Sequence, residues 1–195
     1  MDGNNPKRKK NRLEGFNYAE NRIYFITVCT SPRRNLFWTQ SAMEDVFCWL
    51  PENVGADIIR PPAVDPLTKA GKTVKTSILS IPEHYRQIEV KHFCIMPDHV
   101  HLLLYFWSDS NGQNSNTPTL STVVGSMKRW VSKQLGYSPW QKSFYDHIIR
   151  NQKEYEAAYA YIENNPVQWF IKHDDGKIED LFENVCWAGF EKKQI

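Results

Sequence analysis

His99 and His101 stand two apart in His99-Val100-His101-Leu102-Leu103-Leu104-Tyr105-Phe106, a run that reads as a strand. Side chains alternate along a strand, so both imidazoles leave the same face, close enough to chelate one divalent ion. An HxH pair alone is weak evidence, because half-buried structural histidines share that spacing. Two titratable rings at the head of an otherwise apolar strand, directly after the break Met96-Pro97-Asp98, tip the balance toward a metal pair.

A second group lies near the C-terminal end. In the helix expected over about 152–164, Tyr155, Ala158, Tyr159 and Ile162 follow the spacing of one apolar face and should meet the core. Tyr161 falls well off that stripe at roughly 100° per residue, and Glu154 and Asn165 share its flank. Tyr161 and Asn165 are one turn apart on the same side. The helix can thus offer a phenol as nucleophile beside an oxygen-donating third metal ligand. For an isolated helical tyrosine the ordinary reading is an amphipathic rim residue. Tyr145 is a rival nucleophile, though its strand position has no such ligand partner.

These residues need a scaffold. A β-branched and aromatic run over 23–30 reads as a buried strand, broken by Pro32. A helix is expected from about 39 or 41 to 50 on the spacing of Met43, Val46, Phe47 and Leu50. Residues 51–74, with Pro51, Pro61, Pro62 and Pro66, look like an irregular insertion, followed by a short helical piece near 76–81. Residues 88–95 and 99–106 suggest an antiparallel hairpin around the Pro-Asp break. A polar loop over 108–117 leads to a helix that starts at Pro118, capped by Thr117. Leu120, Val123, Val124, Met127 and Val131 form its core stripe, and Gly136 stops it. Residues 143–150 read as a further strand, and the last helix should end before Pro166. This order implies an α+β fold, a mostly antiparallel sheet with packed helices, rather than a doubly wound parallel sheet.

The composition agrees. At 195 residues with 41% hydrophobic and 13% aromatic content, the chain suits one domain with appendages and argues against general disorder. A net charge of +2 does not by itself indicate nucleic acid. The arm Lys7-Arg8-Lys9-Lys10 with Arg12 is either a solvated tail or a phosphate-binding arm. Cys29, Cys48, Cys94 and Cys186 form no CxxC pair, so neither a zinc ribbon nor a disulfide framework is indicated. Neither a membrane span nor a secretory signal is indicated, so a cytoplasmic location is expected.

Met96-Pro97-Asp98-His99-Val100-His101-Leu102-Leu103 resembles the HUH motif (His, bulky apolar residue, His) of single-tyrosine transposases. Residues 143–151 and the segment Tyr161-Ile162-Glu163-Asn164-Asn165-Pro166 resemble downstream blocks of the REP-associated tyrosine transposases. The likeness extends from about Ile23 to Trp169. It implies a ferredoxin-like antiparallel sheet with helices, and three regions: a basic arm over 1–21, the transposase-like domain over 22–170 with its insertion at 51–74, and a C-terminal tail over 171–195. The resemblance makes His99 and His101 the metal pair, Asn165 a third ligand and Tyr161 the nucleophile. The implied cofactor is Mg²⁺ or Mn²⁺, and the implied partner is single-stranded or hairpin DNA, cut through a 5′-phosphotyrosine link.

Helix geometry nominates Glu154 as a base for the phenol. Lys128, Arg129, Lys133 and Arg150 are candidate phosphate contacts, each equally readable as part of a solvated face. Three rivals remain: a hairpin-binding protein that has lost cleavage, a metal-dependent hydrolase with a water nucleophile, and a replication initiator or relaxase. Monomer and homodimer are both compatible with the sequence.

Overall fold

A computed structural model describes residues 21–44, 65–107 and 118–173. Residues 1–20 of the basic arm, most of the insertion, the polar loop and residues 174–195 of the C-terminal tail lie outside the described residues, as do 45–50 of the helix expected to reach Leu50.

The scaffold is a four-stranded antiparallel sheet built from β1 (Arg22–Cys29), β2 (Ile88–Ile95), β3 (His99–Phe106) and β4 (Tyr145–Ile149), in the order β2-β3-β1-β4. Five helices accompany it among the described residues: α1 (Gln40–Glu44), α2 (Lys69–Leu79), α3 (Ile81–His84), α4 (Leu120–Leu135) and α5 (Gln152–His173). The succession β1-α2-β2-β3-α4-β4, with β3 between β1 and β2, is the ferredoxin-like split arrangement that the resemblance implied.

Each strand sorts its residues between two layers. On one face Tyr24, Ile26 and Val28 of β1 meet Val100, Leu102 and Leu104 of β3, and α2 and α4 close over them with Val74, Ile78, Val123, Val124, Met127 and Val131. The stripe expected on α4 is therefore the stripe that is buried. Leu103, Ile162 and Val167 are also buried but stand apart from that cluster, beneath α5 on the other face. His99 and His101 share the face of Leu103 by strand alternation.

The structure corrects four boundaries. Residues 69–74 are helical, because Thr68 caps α2 by accepting a hydrogen bond from the Gly71 amide and Val74 enters the core. Pro66 thus precedes a helix start. Gly71 allows a close approach there: a Cβ would lie 2.3 Å from the Phe37 carbonyl oxygen. The helical piece expected near 76–81 is the end of this longer α2, followed by the single turn of α3. α4 starts at Leu120 with Thr119 as its cap, the Thr119 hydroxyl accepting from the Thr122 amide, so the start lies two residues later than expected. α5 runs through Pro166 to His173. Proline inside a helix removes a hydrogen bond and costs ~3 kcal/mol. Continuing nonetheless buries Pro166, Val167 and Phe170, and brings Trp169 and Phe170 to within 5.3 and 5.9 Å of the Trp38 ring.

Candidate functional site

The turn between β2 and β3 is anchored before any chemistry is considered. The Pro97 carbonyl accepts from the Leu36 and Phe37 amides, and the Asp98 carbonyl accepts from both the amide and the hydroxyl of buried Thr30. β1 pairs with β3 along its length, setting Cys29 opposite His99 and Thr27 opposite His101. The first residues of β3 are therefore held on two sides.

The two imidazoles converge, their Nε2 atoms 3.0 Å apart. Each outer nitrogen is tied to a partner. His99 Nδ1 lies 2.5 Å from Asp98 Oδ1, and His101 Nδ1 lies 2.9 Å from Thr27 Oγ1. Asp98 uses its other oxygen to accept from Arg33 Nη1 at 3.0 Å, and Arg33 Nη2 donates to Cys29 Sγ. A carboxylate at Nδ1 keeps the proton there and leaves the Nε2 lone pair of His99 facing inward. The Thr27 hydroxyl, which can accept from Nδ1–H, allows the same tautomer for His101.

Electrostatics favour that state. Burial, reinforced by His99 and Arg33, holds His101 down to about 3, so it is neutral at physiological pH. Burial pushes the Asp98 carboxyl up, but hydrogen bonds and charge from His99 and Arg33 outweigh it and leave the group below its ordinary value. Two ring nitrogens whose lone pairs face one gap repel each other unless a proton or a cation lies between them. A separation of 3.0 Å suits nitrogens at adjacent corners of an ion with bonds of roughly 2.1 Å. The donor set thus fits a divalent ion. Among the described residues no group of three His, Cys, Asp or Glu side chains could hold one unaided. Further ligands would have to come from an amide, water or substrate.

α5 brings Tyr161 to the pair. Its ring lies 5.2 Å from that of His101 and 5.8 Å from that of Phe25, edge-on to both, while Phe25 stacks on His101 at 5.3 Å. Tyr161 is 46% exposed, so its ring borders both His101 and solvent. Asn165 is half-buried one turn further along the same helix. Ile162 is fully buried, whereas Tyr155, Ala158 and Tyr159, expected in the core, are only partly covered.

Other nominated residues stand apart. Glu154 is seven residues before Tyr161, about 10 Å along the axis. Its carboxylate accepts from the Arg150 amide and from Asn151 Nδ2, while Asn151 Oδ1 caps the Glu154 amide. That is a capping arrangement at the start of α5. Lys128 directs its ammonium to the carbonyls of Gln141, Lys142 and Ser143, bracing the segment before β4. Arg129 bonds Ser126 and, like Lys133 and Arg150, is exposed. The α4 cations lie in the layer opposite α5. Tyr145, on the edge strand β4, is in register with Thr27 and 61% exposed.

Sequence reasoning passed over Asp98, Thr27 and Arg33. Asp98 carried a signal, being the carboxylate directly before His99, but it reads equally well as a turn former. Thr27 and Arg33 join the site only through strand register and loop folding.

No family model matches the chain. It is 28% identical to an uncharacterized protein of Haemophilus influenzae over 181 residues, spanning 83% of this chain and 89% of that one. It is 25% identical to a REP-associated tyrosine transposase of Escherichia coli over 133 residues, 63% of this chain and 76% of the relative. A putative REP-associated tyrosine transposase of H. influenzae is 29% identical over 94 residues, 44% of this chain and 53% of that one. Among solved structures, a REP-associated tyrosine transposase bound to a REP hairpin superposes with a TM-score of 0.52 at 19% identity, covering 80% of this chain and 74% of that one. In sequence the chain is similar to REP-associated tyrosine transposases, and it shares the fold of one solved on a REP hairpin.

Proposed function

We propose that this protein is a tyrosine transposase that cuts and rejoins single-stranded DNA at hairpin sequences, with Tyr161 as nucleophile. The observation that carries the reading is the placement of the half-exposed Tyr161 ring 5.2 Å from His101, whose Nε2 converges with that of His99. Kinship with transposases, one of them solved on a REP hairpin, supports both the enzyme class and the DNA form.

The residues divide the work. His99 and His101 would hold Mg²⁺ or Mn²⁺, with Asn165 as a third donor. A divalent ion there supplies positive charge against the phosphate and the charge that develops during displacement. Asp98 and Thr27 fix the tautomers and orientation of the two rings. The Tyr161 oxygen attacks phosphorus in line, the bond from phosphorus to the 3′ oxygen breaks, and the phenol proton passes to that oxygen, which leaves as a 3′-OH. The 5′-phosphotyrosine conserves the phosphodiester, so a later 3′-OH reverses the step and joins strands. A free phenol titrates near ~10, so a charged neighbour that stabilises the phenolate assists the attack. Arg129, Lys133 and Arg150 serve as phosphate contacts outside the reacting centre, and Lys128 supports them by bracing residues 141–143.

Incubation of a labelled hairpin oligonucleotide with Mn²⁺ should yield a covalent adduct that survives denaturing electrophoresis. Tyr161→Phe should abolish the adduct and leave binding within about twofold. A chain that binds the hairpin but never forms the adduct is a binding protein. A 5′-phosphate product without adduct, indifferent to Tyr161→Phe, marks a hydrolase instead.

A further inference from the structure

Beside the histidine pair, a groove of about 490 Å³ opens between β1 and the segment that leads into β4. Its walls include Thr27, Cys29, Gln141, Tyr145 and Asp146. Thr27 belongs to both places: it lines the groove and bonds His101. The groove is therefore separated from the histidine pair by no more than the Thr27 side chain.

The wall is held in place. The Gln141 amide donates to the Cys29 carbonyl, the Ser31 amide to the Pro139 carbonyl, and Thr30 forms a bridge with Trp140. Lys128 grips three successive carbonyls of the same segment from behind. Tyr145, 61% exposed on an edge strand, stands at this groove with its ring open to solvent. An aromatic residue so exposed needs a reason in a chain whose other strand aromatics are mostly covered. Gln141 and Asp146 add donors and acceptors within the same walls, so the lining is mixed rather than apolar.

We infer that this groove seats one unpaired nucleotide of the DNA strand next to the phosphate at His99 and His101, its base stacked on Tyr145. A flat ring, flanking groups able to meet a base edge, and a volume within the usual ~300–1,000 Å³ of ligand sites suit a base rather than a duplex or a peptide segment. Duplex DNA keeps its bases stacked on one another and offers no face to Tyr145. The inference rests on the transposase reading and gives Tyr145 the role of a binding residue rather than a nucleophile.

The test uses the full chain carrying Tyr161→Phe, so that strand cleavage does not intervene, and a fluorescein-labelled hairpin oligonucleotide with single-stranded flanks, followed by anisotropy. Adding Tyr145→Ala should weaken binding about tenfold, while Tyr145→Phe should keep it, because stacking needs the ring and not the hydroxyl. Single abasic substitutions walked along the flanks should weaken binding similarly at one position. Combined with Tyr145→Ala, that substitution should cost nothing more. If the oligonucleotide binds but Tyr145→Ala matches its parent, or if the losses add at every abasic position, the groove is not a base seat and the transposase reading stands. If the chain with native Tyr161 forms no adduct, the transposase reading fails instead. An adduct that persists in Tyr161→Phe and vanishes in Tyr145→Phe would overturn the inference by making Tyr145 the nucleophile.

Discussion

Replacing Asp98 with asparagine isolates the part of the site that the tertiary structure added. Asp98 accepts at both oxygens, one from His99 Nδ1 at 2.5 Å and one from Arg33 Nη1 at 3.0 Å. Asparagine has nearly the same shape but a single acceptor oxygen, so its amide must turn a donor toward either the imidazole or the guanidinium. One charge-assisted hydrogen bond is lost whichever way it turns, and His99 loses the negative partner that holds its proton on Nδ1. Hydrogen bonds to charged groups contribute about 1.5–3 kcal/mol, equivalent to roughly a 10- to 150-fold change in an equilibrium constant. Partners of metal-bound histidines typically change affinity by ~10–100-fold. Mn²⁺ titration followed by electron paramagnetic resonance should therefore show binding weaker by at least tenfold in Asp98→Asn. Asp65→Asn, whose carboxylate meets only Lys72 and the Leu67 amide, should leave it unchanged. Equal Mn²⁺ affinity in wild type and Asp98→Asn, with the fold intact by circular dichroism, would falsify the orienting role of Asp98.

Two other outcomes follow from the geometry. His101 sits at about 3 in the folded chain, below its unfolded value near ~6.5, so between those values the unfolded chain binds more protons and stability falls as pH falls. Urea titrations without metal should show a loss of about 2 kcal/mol from this residue between pH 7 and pH 5, absent in His101→Gln. Asp98, held below its ordinary value, is still ionised throughout that window and adds nothing to the slope. In Gly71→Ala the new methyl meets the Phe37 carbonyl oxygen at 2.3 Å, a backbone atom that cannot turn aside. The midpoint of urea unfolding should drop by an amount corresponding to ~1–3 kcal/mol, although alanine is the better helix former; an unchanged midpoint would mean that the contact yields without strain.

Much of the scaffold was legible from periodicity. The β-branched and apolar runs at 23–30 and 99–106 placed β1 and β3, and the spacing of Val123, Val124, Met127 and Val131 marked the covered face of α4. These patterns survive because a strand or helix displays its faces at a fixed period whatever it packs against. The same reasoning put both histidines on one face. Boundaries were less legible, since packing can outweigh a local breaker. The burial of Phe170 against Trp38 carries α5 through Pro166, and Thr68 with Val74 turns part of an apparent insertion into α2.

Residue type and local spacing alone determined the pairing of two imidazoles on a β face and a tyrosine with an asparagine one turn away. Where those groups sit relative to each other was decided only in three dimensions. Thr27 and His101 are 74 positions apart, and Arg33 and Asp98 are 65 apart. Strand register and loop closure bring such residues together, and neither is encoded in a local period. Glu154 illustrates the converse: helix geometry placed it on the flank of Tyr161, but the Arg150 amide and Asn151 Nδ2, just ahead of α5, claim its carboxylate. An unsatisfied amide at a helix start is a nearer partner than a phenol two turns away.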